Sequence, residues 1–220
     1  MAARITWTLY SSTEFNMDNS ADLRRAAFDG NLEKVRILIE SNADPNSTGE
    51  CGSGTLLNFH PEVTAYLLAH GATPDSQTNE NGASVLAGLC YANQAQCVKL
   101  VLEHGANPNL GHADTLETPL HHAISNDASS ELIEMLLQHG ANVNARTKPG
   151  LYSYNFYGET PTRGETPLHR AAAYAPNGII KLLIDAGAER SATDANGNTP
   201  YHWAGWHRRP RETVQLLAPG

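Results

Sequence analysis

Two stretches of this chain open alike at a fixed distance. Thr166-Pro-Leu-His169 and Thr199-Pro-Tyr-His202 begin 33 residues apart, and Thr118-Pro-Leu-His121 opens the same way upstream. A period of that size constrains the fold more than any composition figure does. A unit so short cannot bury its apolar face alone and must stack on copies of itself. Within the unit, Thr166 suits a helix N-cap and Pro167 the first helical position, where its missing N–H costs nothing. Leu168, Ala171 and Ala172 fall at i, i+3 and i+4, one apolar stripe with small residues that let a second helix approach. That second helix carries Ile179, Ile180, Leu182, Leu183 and Ile184 and ends at Gly187, a left-handed cap. From this spacing Leu168, Ala171 and Leu182 are expected in the core.

The unit resembles the ankyrin repeat, and Thr-Pro-Leu-His is the specific part of the likeness. The resemblance implies an all-α ankyrin-repeat solenoid of about six helix-turn-helix repeats, with short hairpin loops and one long loop insertion. The repeats fall at about 19–51, 52–80, 81–114, 115–163, 164–196 and 197–217, a single domain over 19–217. Residues 1–18 form an N-terminal extension or cap. There Ile5, Trp7 and Leu9 alternate with polar neighbours, as in a strand, and the segment either caps the first repeat or is disordered.

The departures from the period are informative. In the first repeat Asn42 stands where the others have glycine, and Asn also tolerates the left-handed conformation. In the second, Thr55 to Gly71 spans 16 residues where Thr166 to Gly187 spans 21, and His60-Pro61 falls inside the expected first helix. Proline there would stop that helix, so a one-turn helix or none is predicted, with a notch in the stack. The third repeat keeps the spacing with Ser84 in place of threonine. The fourth has one extra residue near Asp127 to Ser130. A further 14 residues lie between Asn144 and Gly164, within 148–163, where Tyr152, Tyr154, Phe156 and Tyr157 are concentrated. Insertions in repeat proteins map to loops on one face, often the binding face.

The chemistry in the sequence is structural. His121, His169 and His202 are the motif histidines, whose rings in ankyrin proteins bond within and between loops. His70, His104 and His139 precede Gly-Ala, where a donor suits a helix C-terminus. His121-His122 are adjacent and cannot face one metal from a helix. No phosphate-cradling glycine loop, nucleophile motif or Cys-x-x-Cys appears, so no catalytic, cofactor or metal residues are assigned. The three cysteines form no disulfide framework: Cys90 and Cys97 read as core residues, and Cys51 as a loop thiol. This favours a reducing, cytoplasmic compartment. The N-terminus lacks the apolar region of a signal peptide, and no stretch reaches the length of a membrane span.

Charge is unevenly placed. The chain carries −8, but from Glu40 to Met135 twelve acidic residues face one lysine, a net of −11, and from Leu136 onward the net is +3. That balance excludes a nucleic-acid role, which would want a basic face. The acidic middle either keeps the protein soluble or steers a basic partner.

In ankyrin proteins partners touch hairpin tips and the concave surface of the first helices. The matching positions here are Phe28 and Asp29, Tyr91 and Ala92, Ser125 and Asn126, Ala173 and Tyr174, and Trp206 and His207. The partner-contacting set expected is therefore Tyr91, Asn126, Tyr174, Trp206 and His207, the insertion aromatics, and Glu117 and Glu165 before the motif threonines. A competing reading has the insertion rings folding back over the core. The function implied is a non-catalytic, monomeric, protein-binding module. The alternatives are an immunity or inhibitor protein that neutralises a basic toxin or enzyme, and an enzyme with an unrecognised site.

Overall fold

The computed structural model describes residues 19–48, 54–76, 82–152 and 161–218. Among them are eleven helices and, in place of strands, isolated bridges such as Thr48–Gly54 and Tyr152–Pro161. The cysteine at 51, the segment 1–18 and the insertion aromatics Tyr154, Phe156 and Tyr157 lie outside the described residues.

The inner row of helices is α1 (Asn19–Phe28), α4 (Val85–Tyr91), α6 (Pro119–Ser125), α8 (Pro167–Tyr174) and α10 (Pro200–Trp206). The outer row is α2 (Leu32–Glu40), α3 (Pro61–Ala69), α5 (Ala95–Glu103), α7 (Ser130–Gln138), α9 (Asn177–Asp185) and α11 (Arg211–Leu216). Along the inner row α4 packs on α6, α6 on α8 and α8 on α10; the outer row runs unbroken from α2 to α11.

The motif explains the helix starts. Thr118, Thr166 and Thr199 have extended backbones and are followed by proline. The third helical residue is a histidine whose ring Nδ1 accepts the threonine N–H at 3.2, 3.2 and 3.1 Å. It thereby takes the part of glutamate in a capping box. His169 Nε2 then donates to the Asn198 carbonyl at 2.9 Å, tying the fifth repeat to the sixth. At the outer-helix ends Gly71, Gly105, Gly140 and Gly187 have φ of 87 to 93°, and Asn42 holds the same place at 66°. His70, His104 and His139 donate through Nδ1 to the carbonyl four residues back at 2.8 to 2.9 Å.

A second ladder runs along the hairpins. Asn46, Asn109 and Asn144 each accept a backbone N–H from the next repeat and donate to a glycine carbonyl, Gly71, Gly140 and Gly187 respectively. Asp75 holds the corresponding place between the second and third repeats. It accepts from Asn107 N–H at 2.6 Å and, being a carboxylate, has no donor to offer.

Leu168, Ala171 and Ala172 are fully buried, as are Ile180 and Leu183 of α9. Leu182, expected beside them, is half-buried and packs on the core's flank. The stripe of α9 that faces inward is Ile179, Ile180 and Leu183, one position round from the expected register.

Among the described residues the second repeat has no first helix. Pro61 does not stop one; it occupies the first position of the outer helix α3, where proline is favoured. Residues 54–60 fill the missing place as a folded segment. Leu57 lies against Gly88 of α4, where an added Cβ would come within 2.8 Å of it, and the His60 ring covers Gly30 and bonds the Phe28 carbonyl at 3.1 Å. Asn58, 1% exposed, holds the segment. Its amide donates to the Thr55 carbonyl at 2.8 Å, and its oxygen accepts from His60 N–H at 2.8 Å and Thr64 hydroxyl at 3.1 Å. Beside this segment lies a cleft of about 300 Å³ bounded by Gly30, His60, Pro61, Glu62, Val63 and Gln96, at the starts of the outer helices rather than in the place of the missing inner one.

Candidate functional site

The ends of the inner helices carry five of the eleven expected contact residues, Tyr91, Asn126, Tyr174, Trp206 and His207. Phe28 is 62% exposed, Tyr91 37% and Trp206 53%, and Asn126 and His207 are exposed. Asn126 donates to the Tyr91 carbonyl at 2.6 Å, which fixes the third and fourth repeats side by side at this edge. Tyr174 is half-buried, with its ring edge-on to His207 at 4.5 Å. Ala173 is buried rather than exposed, because Arg209 reaches back from the sixth repeat to donate to the carbonyls of Ala173 and Ala175. Beside Tyr174 a second cleft of about 300 Å³ opens between the helix turns of the fourth and fifth repeats, lined by Ile124, Asp127, Ala128, Ile133, Pro176 and Ile179.

The insertion rises from a built stem. Thr147 N–H bonds the Glu165 carbonyl at 3.1 Å and Lys148 N–H the Thr115 carbonyl at 2.7 Å. Gly150 and Thr162 then pair across the ribbon, followed by the bridge at Tyr152 and Pro161. Tyr152 is 67% exposed at the top of this stem. The sequence reading placed Glu165, which accepts from both feet of this stem, and Glu117 on the surface.

Glu117 and Glu165 are corrections to that reading. They are 1% and 0% exposed and face inward onto Arg170, itself fully buried. Arg170 Nη2 lies 2.6 Å from Glu117 Oε1 and 2.7 Å from Glu165 Oε1, and its Nη1 donates to Ser125 Oγ at 3.1 Å. Thr115 Oγ1 donates to the outer oxygen of Glu117 at 2.8 Å. The outer oxygen of Glu165 accepts Thr147 Oγ1 at 2.8 Å and Arg163 N–H at 2.6 Å, one group from each foot of the stem. Neither carboxylate is presented to a partner. Burial pushes the Glu165 carboxyl up, but the Arg170 guanidinium, with the Arg163 and Thr147 donors, outweighs it and holds the group below its ordinary value. Burial, reinforced by Arg170, also lowers His121 to about 3 and, reinforced by the same charge, His122 to about 4. Both rings are neutral at pH 7. The signal for this network was an acidic residue before two motif threonines with one arginine inside a motif helix.

Among the described residues no cluster of three or more His, Cys, Asp or Glu could hold a metal, and no helix is long and apolar enough to cross a membrane. Exposed acids on the middle repeats include Asp44, Glu62, Glu103, Asp114, Asp127 and Glu131.

The family model described as ankyrin repeats (3 copies) matches residues 55–147 and 151–220. The chain belongs to the ankyrin-repeat family. It is 26% identical over 225 residues to human neurogenic locus notch homolog protein 1, an alignment covering 94% of this chain and 8% of that protein. It is 27% identical over 221 residues to human transient receptor potential cation channel subfamily A member 1, covering 84% of this chain and 20% of that one. The chain thus spans a small part of these relatives. In solved structures it resembles a chain of "Bd0816 Predatory Endopeptidase from Bdellovibrio bacteriovorus in complex with immunity protein Bd3460", with TM-score 0.71, 24% identity and coverage of 89% and 95%. That likeness is one of fold.

Proposed function

We propose that residues 19–217 act as one non-catalytic, monomeric, cytoplasmic module that binds a partner protein through hairpin tips, the insertion and the concave inner-helix ends. The observation that carries this reading is the set of side chains at the inner-helix ends, Tyr91, Asn126 and Trp206 exposed and Tyr174 half-buried, together with a stem that raises Tyr152 into solvent. A monomer leaves such rings in water only at some cost, and aromatic anchors are what protein interfaces use. The exposed acids of the middle repeats steer a basic partner. A second reading within this class is a neutraliser of a basic toxin or enzyme. It is favoured by the acidic middle and by the fold likeness to a complex containing an immunity protein.

The test is affinity capture from native lysate. One stoichiometric, salt-sensitive partner supports a dedicated binder or inhibitor, and many partners support a scaffold. Capture of none overturns the reading and returns attention to an enzymatic role.

A further inference from the structure

The concave end of the fifth and sixth repeats differs from the acidic middle. Arg163, at the foot of the insertion stem, has its main chain pinned on both sides: its N–H donates to Glu165 and its carbonyl accepts Ala195 N–H. The residue is half-buried, and its guanidinium carbon lies 5.9 Å from the ring centroids of both Trp203 and Trp206. The neighbouring carboxylates are committed elsewhere. Glu165 is engaged by Arg170 and Thr147, and Asp194 by the Asn196 and Asn198 amides and by Trp203 Nε1 at 3.0 Å. No carboxylate among the described residues lies within ion-pair distance of Arg163. An arginine laid over aromatic rings keeps its charge and its planar fork of donors.

The surroundings deepen that positive potential. Arg209 is fixed on the Ala173 and Ala175 carbonyls, and Arg208 and Arg211 of the same repeat are exposed. Burial first, then the like charges of Arg163 and Arg209, hold the His207 ring below its ordinary value. Trp206 supplies exposed flat apolar surface, and the half-buried Tyr174 ring stands edge-on to His207 at 4.5 Å.

We infer that Arg163, Trp206, Tyr174 and His207 form a docking subsite for an acidic segment of the partner protein. It takes a carboxylate on the guanidinium fork and an apolar or aromatic neighbour on the rings. The inference rests on the reading of the chain as a protein-binding module, and it gives the partner a polarity: basic toward the middle repeats and acidic toward the sixth. A short acidic segment fits better than a long polyanion, which would run into the net −11 of residues 40–135. An arginine–carboxylate pair, with two parallel hydrogen bonds, suits such a contact.

The test uses the full isotope-labelled chain and two synthetic peptides, acetyl-Glu-Phe-Asp-Glu-amide and its charge-inverted analogue acetyl-Lys-Phe-Lys-Lys-amide. Nuclear magnetic resonance follows the Arg163 Nε–H and the Trp203 and Trp206 indole N–H signals. The acidic peptide should move these signals saturably, and the basic analogue should move signals of the middle repeats instead. Arg163→Gln should weaken the acidic peptide about threefold or more. Trp206→Ala, at an exposed position, should weaken it too while leaving the rest of the spectrum in place. The subsite is overturned by equal shifts from both peptides, by no shift up to about 5 mM, by unchanged binding in both variants, or by shifts from a single-stranded oligonucleotide alone. If only the basic analogue binds, at the middle repeats, the subsite falls and the protein-binding reading stands.

Discussion

The second repeat and the junction of the fourth and fifth depart from the period in opposite ways. One has lost five residues and the other has gained fourteen at a hairpin. Both are mended with buried polar side chains, joined in the second repeat by the apolar Leu56 and Leu57. In the second repeat Asn58 supplies, from one amide, hydrogen bonds that a helix would have made within its backbone. At the junction Glu165 clasps both feet of the inserted stem, and Arg170 ties it to Glu117 and Ser125 of the repeat before. A solenoid tolerates a change of length where its neighbours still meet, provided the backbone groups freed by the change find partners.

The junction should be the more fragile of the two. Arg170→Met leaves two buried carboxylates facing each other without their cation and should cost about 3–5 kcal/mol in chemical denaturation. A loss below that of a surface substitution would mean that the charges are not held as described.

Acid should strike the same junction. His121 and His122 are held near 3 and 4 in the folded chain, whereas in the unfolded chain they titrate at ordinary values. Depressed folded values mean that stability is complete above about pH 6.5 and is lost as pH falls toward 4. Glu165, also depressed, adds to the loss at the acidic end. Going from pH 7 to 5 should cost about 2–4 kcal/mol through the two rings. Hydrogen exchange should rise there more than in the second repeat, whose buried polar groups Asn58 and Thr64 do not titrate.

Breaking the shorter repair is the next test. Asn58→Ala strands the His60 N–H, leaves the Thr64 hydroxyl its weaker contact with Cys97 Sγ at 3.6 Å, and should cost about 1–3 kcal/mol. Even in the unmutated chain, exchange over residues 57–62 should be faster than over 168–173, since one is a folded segment and the other a capped helix.

Much of this was legible in the sequence because the capping signals are local. Thr-Pro-Leu-His, the terminal glycines and Asn42 each act within a turn or two, and each stands where its spacing placed it. What was not legible depends on distant pairing. Glu117 looks like a surface acid until Arg170, 53 residues away, is brought against it. Leu182 and Leu183 are equally apolar, and only the neighbouring outer helices decide which faces inward. Arg163 was overlooked for the same reason, since Trp203 and Trp206 meet it from the sixth repeat.

The smallest expected effect sharpens the comparison at the hairpins. Asp75→Asn should restore a donor for the Gly105 carbonyl, as Asn46, Asn109 and Asn144 provide at the other steps. It should raise stability by about 0.5–1.5 kcal/mol. A decrease would show that the second repeat's hairpin is set differently from the others.

The binding account is tested most directly by titrating the captured partner against the wild-type chain and against the double variant Tyr154→Ala/Tyr157→Ala, with thermal unfolding measured alongside. The account predicts that affinity falls by about 1–2 kcal/mol or more, as truncated interface anchors do, while the melting temperature changes little. Normal binding by a variant that melts many degrees lower would contradict it and make the inserted rings a cover for the core.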